Sequence, residues 1–277
     1  HLKLQKLIIR LIFISVFFTS CFSSGGGEEG GGGGLFQNHQ AVENLFVLTP
    51  PVSGTYLEDD TIDFALSHSY NVTVSGTPTV QLDIGGSIVN ATYLTGSGTS
   101  NLVFRYTVQA GDDDADGIEI AGTINLNGGS ITFTDSGVVT NAETNFETKD
   151  TSAVKVDTTA PSISLITPPN PKTYYFNQQL SFIAIFDDMV TITGTPRIAI
   201  DIGGVTQYAE YAAGTGSSTV IFRYTVQGTD VDLDGISISS PLELNGGSIA
   251  DFNGNAADLT FTPIPMPTTF VDGDTPY

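Results

Sequence analysis

Apolar side chains recur at every second position along several stretches of the chain. Val80, Leu82 and Ile84 alternate with Thr79, Gln81 and Asp83, and Leu102, Phe104, Tyr106 and Val108 alternate with Val103, Arg105, Thr107 and Gln109. A period of two, rather than 3.6, gathers one set of side chains on a single face of a half-buried strand. The pattern returns at Leu180, Phe182, Ala184 and Phe186, at Ile198, Ile200 and Ile202, and at Val220, Phe222, Tyr224 and Val226. It breaks at Gly85-Gly86, Asn127-Gly128, Gly203-Gly204 and Asn245-Gly246. Glycine and asparagine accept positive φ at little cost, so these breaks predict hairpin turns.

The second set of strands copies the first. The stretch from Ser75 to Ile131 and that from Thr193 to Ile249 share roughly half their residues, as internal repeats do. Asp83 matches Asp201 and Gly117 matches Gly235, each 118 positions on. About seven short strands in roughly 110 residues predict an antiparallel sandwich of the immunoglobulin kind. The expected fold class is therefore all-β: two tandem immunoglobulin-like antiparallel β-sandwiches, over residues 45–158 and 159–277, after a signal peptide and a flexible linker.

The first twenty residues are of another kind. "HLKLQKLIIRLIFISVFFTSC" joins a basic start to the apolar run Leu11–Phe18 and then to small residues before Cys21. About 8 apolar residues cannot cross a bilayer as a helix, which needs roughly 20. Residues 1–20 are thus read as a signal peptide. Cys21 is the sole cysteine, so no intrachain disulfide can form. Residues 21–44 contain "FSSGGGEEGGGGG", thirteen residues of which would behave as coil with an end-to-end distance of roughly 20 Å.

Two resemblances rest on these residues. Thr19, Ser20 and Cys21 resemble the lipobox of bacterial lipoproteins, with Phe18 departing from the family's aliphatic preference. That resemblance implies lipidation of Cys21 and a place in the bacterial cell envelope, at the outer membrane or cell surface. The other reading of the same residues is an ordinary secreted protein cut near Ser20. "VDTTAP", "TVSGTP", "GSGT", "FRYTVQAGD" and "LNGGSI" resemble the bacterial Ig-like repeat family, in its flagellar-system-associated form. That resemblance covers residues 45–277 and implies a tandem sandwich with a stalk or adhesion role. The chain begins with His and stops where another module could start, so it is read as a fragment.

Charge narrows the partners. The formal net charge is −21, and Lys3, Lys6 and Arg10 lie within the first ten residues, so the folded part is more acidic still. Nucleic acid is excluded as a partner by this balance, and multivalent cations are favoured. The expected partners are the membrane, through the N-terminal lipid, and a surface glycan or protein.

The candidate chemistry lies in two acidic loops. Asp112, Asp114, Asp116 and Gly117 in the first copy match Asp230, Asp232, Asp234 and Gly235 in the second. D-x-D-x-D-G is the first half of an EF-hand loop, whose side chains at 1, 3 and 5 meet one calcium ion. The carbonyls of Ile118 and Ile236 would add a fourth oxygen. Position 12 is Thr123 or Pro241, neither of which can be a bidentate ligand, so the loop is a half-site of weak affinity, on the order of 10⁻⁴–10⁻³ M. The competing reading is a polar turn solvated by water. Asp251, Asn253 and Asn255 form a further candidate loop, and Asp157 and Asp272 at the module ends suit a calcium-stiffened hinge like that of cadherins.

Arg105 and Arg223 are expected to pair with a nearby acid such as Asp83 or Asp201, with a ligand contact as the second reading. His68 continues the alternation of Ile62, Phe64 and Leu66 and is read as a partly buried strand residue. With no G-x-S-x-G and no His/Cys metal spacing, no enzymatic activity is expected. The alternatives are a carbohydrate- or protein-binding module pair and the scaffold of a longer extracellular enzyme.

Overall fold

A computed structural model describes residues 46–274. The signal segment, the glycine tether and Cys21 lie outside the described residues.

The first module contains β1 (Val47–Thr49), β2 (Gly54–Tyr56), β3 (Thr61–Ser75), β4 (Thr79–Ile84), β5 (Ser87–Thr95), β6 (Thr99–Thr107), β7 (Glu119–Asn125), β8 (Ser130–Asp135), β9 (Val138–Asn141) and β10 (Val154–Val156). The second contains β11 (Ile163–Thr167), β12 (Thr173–Tyr175), β13 (Gln179–Thr193), β14 (Arg197–Ile202), β15 (Val205–Ala213), β16 (Ser217–Thr225), β17 (Val231–Asp232), β18 (Ile236–Ile238), β19 (Ser248–Ala250), β20 (Ile264–Met266) and β21 (Phe270–Asp272).

Strand pairing gives each module an immunoglobulin-like sandwich. In the first, β1, β3, β6 and β5 lie side by side, the order of strands A, B, E and D of an immunoglobulin domain. β4 pairs with β7 as C pairs with F, and the tight β4–β5 hairpin links the two sheets. β2 and β10, at the two ends of the module, run parallel and close it. The second module repeats the plan with β11, β13, β16 and β15, with β14 and β18, and with β12 parallel to β21.

The alternation seen in the sequence faces the core. Ile62, Phe64 and Leu66 are buried on β3, and Leu180, Phe182 and Ala184 on β13. Each of the large side chains among them contributes about 1.5–3 kcal/mol. Buried residues fall into two clusters, one within 46–156 and one within 166–271, so each module has its own core. A register shift between Ser67 and Val72 bends β3, which pairs with β6 on both sides of it and with β8 from Thr73 onward. His68 sits at this bend, buried, as its place in the alternation suggests.

The copies diverge near their ends. Val156 pairs with Tyr56, and Val271 with Tyr174. The offset between those closing strands is therefore 115, not 118, because the second module is three residues shorter. The β8–β9 hairpin of the first module gives way to a compact loop after β19, closed by an Ala250–Ala256 bridge. The residues of loop 251–258 therefore have no one-to-one counterparts in the first copy.

Candidate functional site

The aspartates of each acidic loop divide into three distinct environments. Asp112 turns back on its own chain: its Oδ2 accepts from the Gln109 amide at 2.8 Å and from the Tyr106 hydroxyl at 2.6 Å. Asp230 repeats this with the Gln227 amide at 2.7 Å and the Tyr224 hydroxyl at 2.6 Å. Burial, then the adjoining carboxylate, pushes both phenols well above their ordinary value of 10.0.

The middle aspartate is a buried clamp. Asp114 accepts from the Gly85 amide at one oxygen and from the Gly117 amide at the other, each at 2.7 Å. Asp232 holds Gly203 and Gly235 in the same way, again at 2.7 Å. The clamp fastens the β4–β5 turn, or its β14–β15 counterpart, to the acidic loop. Asp114 also bridges Val156, and Asp232 pairs with Val271, so both stand next to the closing strand. Asp116 and Asp234 are exposed, beyond a bend in the chain.

The expected calcium set is therefore not gathered. Among the described residues, no group of three or more His, Cys, Asp or Glu side chains is placed to hold a metal ion. The reason is long-range: the first carboxylate caps its own turn, the second faces a hairpin 29 residues earlier, and the third faces away. Ile118 and Ile236 are buried core residues, and the Ile118 carbonyl accepts the Thr151 hydroxyl. The glycine of the motif has its own requirement. At Gly117 φ is +102°, and a Cβ there would lie 2.4 Å from Ser152 Cα; at Gly235 φ is +114°, with Pro267 Cα at 2.5 Å. Close approach of the returning chain forbids any larger residue.

Arg105 pairs with Asp63, not Asp83, through Nε at 2.7 Å and Nη2 at 2.6 Å. Asp63 lies directly opposite Arg105 across β3 and β6, whereas Asp83 is two strands away. The guanidinium holds the Asp63 carboxyl below its usual range, chiefly by hydrogen bonding. In the second module Ser181 occupies the matching position opposite Arg223. Asp83 and Asp201 instead accept from Gly86 and Gly204 in their hairpins, at 2.7 and 2.8 Å.

A second constellation lies where the modules meet; Asp157 and Asn253 are candidates in the sequence, and Asp113, Thr158 and Thr159 are not. Asp113, between two of the expected ligands, accepts from the Thr158 amide at 2.8 Å and from the Thr159 hydroxyl at 3.0 Å. Thr158 in turn accepts from the Gly111 amide at 2.9 Å. From the other side, Asn253 of the second module donates to Asp157. A cleft of about 540 Å³ opens here, with Lys155, Asp157, Phe252 and Asn253 on its walls. The signal that could have found Asp113 is its replacement by Val231 in a motif whose alternate aspartates and glycine are kept.

No family model matches the chain, and no curated protein does. Among solved structures it is similar to a marsupial T cell receptor, with 10% identity, 80% of this chain and 94% of that chain covered, and a TM-score of 0.26.

Proposed function

We propose that this is a non-enzymatic, lipid-anchored protein of the bacterial cell envelope, whose two sandwiches, of the flagellar-system-associated repeat type, serve as stalk and adhesion units. The observation that supports this best is the junction. Asp113, Thr158, Thr159, Asp157 and Asn253 brace the six residues between β10 and β11 with side-chain hydrogen bonds, as a spacer requires and a free linker does not. The buried carboxylates favour the same reading. Asp114, Asp232 and Asp251 each accept backbone amides of their own loops, and Asp251 also holds the Asn255 side chain. They are committed to architecture.

The anchor is tested by Cys21→Ala. The wild-type chain should fractionate with membranes and carry acyl mass on its N-terminal peptide, and the variant should be soluble; a membrane-bound variant defeats the anchor. Calcium stiffening stays part of the proposal and is tested apart from it. Calcium would have to displace Tyr106, Tyr224 and the glycine amides from their carboxylates. Thermal melting in millimolar calcium and in chelator decides: a raised melting temperature supports calcium, and superimposed curves dismiss it.

The junction cleft favours a second reading, a glycan- or protein-binding module pair. Phe252 stands 91% exposed beside the polar groups of that cleft. Loss of glycan or protein capture on Phe252→Ala, with melting unchanged, would favour it.

A further inference from the structure

The cleft between the modules is built on a small ribbon of main chain. β2 and β10 run parallel, with Thr55 directly beside Lys155, and Asp114 bridges Val156 on the ribbon's other edge. Side chains alternate along β10: Val154 and Val156 are buried, and Lys155 between them is exposed. Thr55 and Lys155 therefore stand together on the outer face, where they line the cleft of about 540 Å³. That volume lies within the roughly 300–1,000 Å³ of clefts that hold small ligands.

The loop after β19 forms another wall. It is held rigid from within: Asp251 accepts the Gly254 amide at 2.6 Å, the Asn255 amide at 2.9 Å and the Asn255 side chain at 2.9 Å. It is held from the first module as well. Asn253 donates to Asp157, and a Cβ on Gly254 would lie 3.4 Å from Leu57 Cδ1. Between these fixed points Phe252 is 91% exposed. A lone exposed ring is ordinary on a protein surface. This one lines a cleft whose polar groups are not all engaged. Among the described residues the Lys155 ammonium and the Thr55 hydroxyl make no hydrogen bond, and the Asn253 carboxamide uses only its nitrogen.

We infer that this cleft binds a neutral glycan, with one pyranose ring lying on the Phe252 ring. This deepens the binding-module reading of the cleft and rests on it. The chemistry of the groups decides the ligand class. A pyranose has an apolar C–H face, which an exposed aromatic ring covers, and rim hydroxyls that each donate and accept. The Lys155 ammonium supplies a donor, the Asn253 carbonyl an acceptor, and the Thr55 hydroxyl both. Charge narrows the choice of sugar. Asp113, Asp157 and the buried Asp114 stand against a single lysine on the walls, so acidic sugars are repelled. A protein partner fits less well. Protein contacts spread over roughly 800 Å² per partner and centre on several buried anchors, whereas this cleft exposes one large apolar side chain. Both walls are braced before a ligand arrives, so little ordering opposes binding.

Saturation-transfer NMR on the full chain carrying Cys21→Ala, which leaves it free of acyl groups, tests the inference. The probes are neutral oligosaccharides of glucose, galactose, mannose and N-acetylglucosamine, with oligogalacturonic acid as the acidic counterpart. At least one neutral chain should bind, with transfer strongest at the C–H protons of one ring face. The acidic chain should bind at least about tenfold more weakly. Phe252→Leu keeps apolar area without the flat ring and should weaken binding at least about tenfold, while Phe252→Tyr should keep it. Lys155→Met should weaken it about fivefold. Both side chains are exposed, so melting should be unchanged in all three variants. No binding of any neutral chain at about 10 mM overturns the inference. So does binding that survives Phe252→Leu, or a preference for the acidic chain. A protein captured through Phe252 without sugar binding overturns the glycan and leaves the binding-module reading standing. If Phe252→Leu removes neither sugar nor protein capture, both fail.

Discussion

The carboxylate of Asp114 accepts the amide of Gly85 at 2.7 Å across 29 residues of chain, and Asp232 accepts that of Gly203 at the same distance and separation. The aspartate kept in both copies is thus a buried fastener between a hairpin turn and the loop beside the closing strand. Removing it leaves two amides, of Gly85 and Gly117, without their acceptor. Asp114→Ala and Asp232→Ala should each cost about 1–3 kcal/mol in urea denaturation. Asp116→Ala and Asp234→Ala, on exposed side chains, should stay within about 0.5 kcal/mol. A calcium loop would show the opposite: all three positions would matter together, and only with the ion present.

The two tyrosine–aspartate bonds make a second, optical prediction. Tyr106 and Tyr224 have raised pKa values, from burial and from a carboxylate that the phenolate would repel. Their stabilising contribution is full below the ordinary tyrosine value of about 10 and is lost as pH rises through the folded value. In an ultraviolet titration two phenols should resist ionisation at pH 11 until the protein unfolds. Tyr224→Phe should remove one of them and cost about 1–2 kcal/mol, because Asp230 stays buried with one donor fewer.

His68 should make the first module sensitive to mild acid. Its Nε2 lies 3.2 Å from the Glu143 carbonyl, its Nδ1 is buried without a partner, and its ring stacks on Phe46 at 4.0 Å. Desolvation lowers its pKa below the ordinary 6.5, the carbonyl opposing this more weakly. The unfolded chain therefore takes up the proton first, so stability is complete above about pH 6.5 and declines as pH falls through the folded value. His68→Phe, which installs the residue present at Phe186, should flatten the melting temperature between about pH 7 and pH 5.

At the junction, Asp113→Val should loosen the modules without unfolding either. Val is the second module's own residue at this position, and the side chain is exposed. Small-angle scattering should show a broader distribution of overall dimension, and hydrogen exchange should rise at Thr158 and at neighbouring amides. An unchanged scattering profile would mean that Asn253 and the chain itself suffice to hold the modules.

Strand positions were legible because burial on one face imposes a period of two, and Gly-Gly and Asn-Gly pairs mark where the chain reverses. Partner choice was not. Whether Arg105 meets Asp63 or Asp83 depends on which strands become neighbours, and the local pattern around the arginine is the same in either case. The acidic motif was legible only in part, for a related reason. Asp-x-Asp-x-Asp-Gly fixes the sequence spacing of carboxylates, but their directions depend on Gly85, Val156 and Tyr106, which the rest of the fold delivers. Strand β2 also escaped notice, since Gly54–Tyr56 is too short to alternate.

That short strand has a consequence for how the molecule comes into being. Gly54 finds its partner only when Val154 arrives, and Thr173 only when Phe270 does. Local hairpins can zip early, but each module's perimeter stays unsealed until almost its whole span is in hand, a closure over about a hundred residues. Assembly of each half is therefore slow and all-or-none, governed by the last few residues to appear.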